Sequence, residues 1–192
     1  MKEVDEMKIL QRISAILAFC SILTFTSFTN AQTVQICDMS AHELYARSYV
    51  FLTVQTPLSC SDVAHLGKLS PESPYDLYTF VVKPRKRISG EGSVVSFFNN
   101  GAGCVSKITI MSPLPDASGD QGYIIGSILM AIGLFTNEID ILFKETHSLS
   151  NNSIYSDVWS AKLNRRVIME FKVDTIEKGS RMVVTRLTAT DN

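Results

Sequence analysis

Histidine, cysteine and tryptophan are scarce in this chain: its 192 residues hold three, four and one of them. The histidines stand apart at His42, His65 and His147. A metal site needs clustered His, Cys or carboxylate ligands, so this spacing gives it no support. No Cys-x-x-Cys, His-Glu-x-x-His, Gly-x-Ser-x-Gly or Gly-Lys-Ser/Thr sequence occurs, which removes the usual signatures of redox, metalloprotease, serine-hydrolase and phosphate-loop chemistry. Neither a metal nor a cofactor is expected. An excess of charge of one sign is also missing. Eighteen basic residues face nineteen acidic ones, for a net charge of −1, which leaves no electrostatic footprint for nucleic acid. With 45% hydrophobic residues, the chain has the material for a core and is not of disordered composition.

What is present begins with an export pattern. Met7 to Arg12 carries Lys8 and Arg12, Ile13 to Thr29 has no charged side chain, and Thr29-Asn30-Ala31 offers a small-x-small exit. A basic head, an apolar middle and small residues at the exit compose a secretory signal. The acidic residues Glu3, Asp5 and Glu6 suit such a head poorly, so Met7 is the better start. The expected division is a signal peptide over 1–31 and one domain over 32–192. An uncleaved anchor is the alternative, although the apolar run is near the lower limit for a span. After cleavage no stable membrane span is expected.

The mature part keeps Cys37, Cys60 and Cys104. Outside the cytoplasm three cysteines suggest one disulfide and one remaining thiol. A helix between Cys37 and Cys60 would hold those two apart, because disulfide Cα atoms lie within about 7 Å. The favoured pair is therefore Cys60–Cys104, with the other pairings open.

Ser40-Ala41-His42-Glu43 has the spacing of a capping box, and Leu44, Tyr45, Ser48, Phe51, Leu52 and Gln55 recur near helical spacing until Pro57. Residues 61–69 read as a short helical turn. Three strands follow at 76–83, 93–99 and 104–111. Asn99-Asn100-Gly101-Ala102-Gly103 supplies the hairpin between the last two. The run 123–135 is apolar on every side and reads as a buried helix, with Gly126 and Gly133 allowing close approach of another backbone. From Ile139 the period is two: Ile139, Ile141 and Phe143; then Tyr155, Trp159 and Leu163; then Val167, Met169, Phe171 and Val173; then Val183, Thr185 and Leu187. The fold class is α+β, an antiparallel meander of about seven strands with an N-terminal helix and a buried central helix. The order hints at a doubled helix-plus-meander unit, without a residue-level repeat.

Three constellations remain for function. Lys83-Pro84-Arg85-Lys86-Arg87 packs four cations into five residues and reads as an exposed turn able to meet an acidic partner. The polar faces of the last strands offer Arg166, Glu170, Lys172 and Arg186. The wall Ile124, Ile128, Ala131, Ile132 and Phe135 would suit an apolar ligand if a cavity lay beside it. Cys104, after a glycine-rich loop, is the one nucleophile candidate, with His65 or His147 as its base; the bland reading is a structural cysteine. Asn151-Asn152-Ser153 matches a glycosylation acceptor, relevant only to a eukaryotic secretory route. The sequence thus reads as an exported, periplasmic or secreted, non-enzymatic binding protein with an envelope protein partner. A carrier of an apolar small molecule or lipid is the alternative.

Overall fold

The computed structural model describes residues 34–191, apart from 69, 72, 86–91, 115–116, 151–152 and 176–180. The expected signal peptide at 1–31 lies outside the described residues. The first helix, α1 (Ala41–Val54), starts where its cap dictates. The Glu43 amide donates to Ser40 Oγ at 3.3 Å, and the Ser40 amide donates to Glu43 Oε2 at 2.9 Å. The box satisfies two otherwise unpaired amides and contributes about 1 kcal/mol. Ala41, Leu44, Ser48 and Leu52 form the buried stripe of α1.

The first meander follows as β1 (Leu58–Cys60), β2 (Ala64–Lys68), β3 (Asp76–Pro84), β4 (Ser93–Asn99) and β5 (Val105–Pro113). The segment read as a helical turn at 61–69 is in fact strand β2. It pairs with β3 from Ala64↔Thr79 to Lys68↔Asp76, with a bulge between His65 and Gly67. Pairing with the free edge of β3 supplies its backbone hydrogen bonds, and this outweighs the weak local preference for a turn. The turn between β4 and β5 is as the Asn-Gly pattern predicts. Asn100 Oδ1 accepts the Ala102 and Cys104 amides, and Gly103 sits at φ +79°, where a Cβ would be strained.

Two helices then cross to the second meander: α2 (Ala117–Ile132) and α3 (Thr136–Lys144). Ile124, Ile125, Ile128, Leu129, Ala131 and Ile132 of α2 are all at most 2% exposed. Gly133, at φ +106°, ends it: the Leu134 amide reaches back to the Leu129 carbonyl at 3.1 Å, satisfying a carbonyl the helix leaves open. Gly126 meets nothing within 4 Å of where its Cβ would lie, so the expected close backbone approach is not made there.

The strand read at Ile139, Ile141 and Phe143 is helix α3 instead. The Phe135 amide donates to Glu138 Oε2 at 2.7 Å, capping the helix, and Lys144 reaches Asp140 at 3.1 Å one turn away. Ile139 and Leu142, three apart, are the buried pair, while Phe143 is 40% exposed. Ile139, Ile141 and Phe143 do not share a helix face; the face that is buried pairs Ile139 with Leu142, a spacing the period-two reading passed over.

The second meander is β6 (His147–Ser150), β7 (Ser153–Ser160), β8 (Arg165–Thr175) and β9 (Arg181–Thr190). All strands join one antiparallel sheet in the order β1-β3-β4-β5-β9-β8-β7-β6, with β2 also on β3. Nine strands and three helices make an α+β fold among the described residues, two strands more than the sequence suggested. The order is symmetric about the antiparallel pair β5–β9. Each half runs helix first and then a meander inward to the seam, so the doubled unit exists as topology.

The helices cover one sheet face. Phe80 and Val82, Val95 and Phe97, Ile108 and Ile110, Leu187 and Ala189, Val167 and Met169 occupy matching rows there, all at most 1% exposed. Each such side chain contributes about 1.5–3 kcal/mol on burial. The segment before α1 closes the seam at one end. β9 leaves β5 after Leu187, and Val34 takes the vacant place on Ala189.

Candidate functional site

The sheet face turned away from the helices gathers most of the polar candidates. On β8 the side chains alternate, so Arg166, Ile168, Glu170, Lys172 and Asp174 share that face. Register places Trp159 beside Arg166, Tyr155 beside Glu170 and Arg186 on the other flank of Glu170. Arg166, Glu170, Lys172 and Arg186, scattered over twenty residues of sequence, thus form one patch across β8 and β9.

The patch is organised by ion pairs. Arg166 binds Asp157, Lys172 Nζ lies 2.9 Å from Asp174, and an Arg186 guanidinium nitrogen lies 3.6 Å from Glu170. Burial lowers the Arg186 pKa, and the neighbouring Glu170 charge opposes that shift. Partly buried pairs of this kind hold the outward side chains in place and add little net stability. Trp159, 38% exposed, borders the patch with an apolar ring and a donor nitrogen. The sequence hinted at Arg166, Glu170, Lys172 and Arg186 through period-two spacing. It did not reveal Asp157, Tyr155 and Trp159 as their neighbours, because that requires strand register, whereas Asp174 follows from the alternation along β8 itself.

Arg85, from the basic run, serves another purpose. Arg85 Nε donates to the Leu58 carbonyl at 2.8 Å and its terminal nitrogen bonds the Thr53 carbonyl. Arg85 therefore ties the end of β3 to the last turn of α1, a structural duty. Lys86 and Arg87 lie outside the described residues. The apolar wall divides too. Ile124, Ile128, Ala131 and Ile132 belong to the packed core, whereas Phe135 is 55% exposed with Lys162 Nζ 5.8 Å from its ring centre.

The three cysteines among the described residues are free thiols, and no Cys60–Cys104 bridge is present. Topology explains why. Cys60 pairs with Val82, Val82 with Ser93, and β4 and β5 continue that row to Ser112. Cys104 precedes the other end of β5, roughly 26 Å along the strand at about 3.3 Å per residue. Disulfide geometry cannot span it. Burial pushes the Cys37 thiol up to about 11, and the Cys60 thiol likewise.

His65 and His147 sit at opposite edges, on β2 and β6. At roughly 4.8 Å per ladder, β2 is about 14 Å from β5, and β6 is farther still, so neither ring serves Cys104 as a base. His65 instead stacks on Tyr78 at 4.4 Å, and His42 meets the same ring edge-on at 5.2 Å. Among the described residues, no group of three His, Cys, Asp or Glu could hold a metal ion. Nor is any described helix long and apolar enough to cross a membrane. No known protein family, curated protein or solved structure matches the chain.

Proposed function

We propose that the protein is an exported, periplasmic or secreted, non-enzymatic binding module that contacts an envelope protein partner through the outward face of β7, β8 and β9. One observation carries this reading: Arg166, Glu170, Lys172 and Arg186 converge with Tyr155 and a 38%-exposed Trp159 on one face. Arginine and aromatic side chains are the residue types that dominate protein interfaces. Ion pairs arranged in advance lower the ordering cost of association. Export rests on the charge and hydropathy pattern of residues 7–31. The separation of Cys104 from both candidate bases supports a role without covalent catalysis.

The carrier alternative has less behind it. Four of its five wall residues are at most 2% exposed within the core, and the fifth, Phe135, faces outward. The test is partner capture with the intact protein, comparing wild type with Trp159→Ala and with an Arg166→Glu, Lys172→Glu double variant. Loss of a co-purifying protein in both folded variants supports the reading. Capture that both variants retain overturns the assignment to this face.

A further inference from the structure

The segment before α1 meets the start of β5 in a way that concerns two cysteines. The Ile36 amide donates to the Val105 carbonyl at 2.8 Å, and the Val105 amide donates to the Met39 carbonyl at 2.9 Å. The carbonyl side of Val105 thus faces Ile36, and its amide side faces Met39. Cys37 lies between the two bonded residues, beside the Cys104–Val105 peptide. Residues 36–38 form a bend, and both hydrogen bonds go to Val105, the residue after Cys104, so the segment wraps the backbone next to Cys104; a disulfide there requires Cα atoms about 4.4–6.8 Å apart.

We infer that Cys37 and Cys104 are a dithiol pair that closes to a disulfide on exchange with an external disulfide, locking the 34–39 segment onto the seam between the two halves of the sheet. Their surroundings divide the labour. Cys37 is 1% exposed, whereas Cys104 is half-buried in the turn, with its sulfur 4.0 Å from the Ala102 carbonyl. Burial is the main cause that raises the Cys37 pKa, and the nearby Cys104 adds to it.

The Cys104 thiolate attacks one sulfur of the incoming disulfide, forming a mixed disulfide and releasing one thiolate. Rotation of Cys104 away from Ala102 presents its sulfur to Cys37. The Cys37 thiolate then attacks it, forming the Cys37–Cys104 bond and expelling the second thiolate. The two cysteine protons end on the two released thiols, and the external disulfide is the species reduced. Cys60, on the far edge strand, takes no part.

The lock adds to a segment already packed into the core, where Ile36 and Cys37 are buried. Val34 bridges Ala189, and Asp38 pairs with Arg165 at 3.3 Å, so the 34–39 segment touches β5, β9 and β8. Closing the bond makes these contacts permanent and joins the chain entry to the centre of the sheet. The inference does not depend on which partner the module binds.

The test uses the purified reduced protein, treated with oxidised glutathione, quenched with acid, digested without reduction and mapped by mass spectrometry. The expected result is a peptide joining Cys37 to Cys104, lighter than its two parts by two hydrogens, with Cys60 still alkylated. The Cys60→Ser variant keeps the crosslink and keeps an upward shift of Tm that dithiothreitol reverses. The Cys104→Ser variant loses both. Separate alkylation of Cys37 and Cys104 after oxidation, persistent glutathione on Cys104, or a crosslink from either residue to Cys60 or Cys20 overturns the inference.

Discussion

The two halves of the sheet share one plan on the helix side and differ on the other. In the first half, Leu77, Thr79, Val94, Ser96, Phe98 and Met111 line the face turned away from the helices, all at most 9% exposed. Tyr75 meets Phe98 edge-on at 6.3 Å, and Lys107 Nζ lies 3.9 Å over the same ring. In the second half, the corresponding rows on β8 and β9 hold Arg166, Glu170, Lys172 and Arg186 with their counter-ions. Shared topology fixed the helix-facing rows as apolar in both halves. The outward rows, free of that demand, became buried and mostly uncharged in one and ionic in the other. On the proposed reading the second half is the working surface, since arranged charges give an interface its specificity.

The comparison breaks or sharpens through paired substitutions. The largest effect is expected for Phe98→Ala in the first half, which removes a buried ring and costs about 3 kcal/mol or more. Urea unfolding of that variant beside wild type measures it. A cost under about 1 kcal/mol would mean that the buried outward face contributes little to the fold.

The next effect is alkaline. Burial pushes the Cys37 and Cys60 thiols from 9.0 up to about 11 and the Tyr45 phenol from 10.0 up to about 12. The unfolded chain loses these protons first. The stability they contribute is therefore complete below pH 9 and lost as pH rises through about 11 to 12. All three belong to the first half or the segment before it. A Cys37→Ala variant should show a shallower fall in Tm between pH 9 and 11 than wild type; an unchanged slope would remove Cys37 from the effect.

Ser40→Ala deletes the side-chain acceptor of the capping box and is expected to cost about 1 kcal/mol, read by thermal or urea unfolding. Smallest is Glu170→Ala in the second half, at about 0–1 kcal/mol, since an ion pair at this depth returns little net stability. If Glu170→Ala proved as costly as Phe98→Ala, the patch would be structural and the contrast between the halves would disappear.

Legibility in the sequence followed the reach of the signal. Ser40 and Glu43 marked the start of α1, and Asn100 with Gly103 marked the β4–β5 turn, because both motifs act within four residues. The period-two run from Val167 to Val173 gave β8 and its outward charges. Signals failed mainly where a distant partner decided. Ile139, Ile141 and Phe143 were a local misreading, because the Glu138 cap that starts their helix acts within three residues, whereas the strand in the 61–69 segment forms only by pairing with the distant β3. The Cys60–Cys104 pairing failed for the same reason. Cys37 is brought to Cys104 by hydrogen bonds between Ile36, Met39 and Val105, and no spacing along the chain records them. The neighbours that complete the candidate patch, Asp157 and Trp159, likewise needed strand register.

The most direct measurement is native mass spectrometry of the unreduced protein recovered from the extracytoplasmic fraction. The account predicts a chain beginning near Gln32 in complex with a second protein, and loss of that complex in the Arg166→Glu, Lys172→Glu variant. A mature chain carrying a stoichiometric small apolar adduct and no protein would contradict it and favour a carrier.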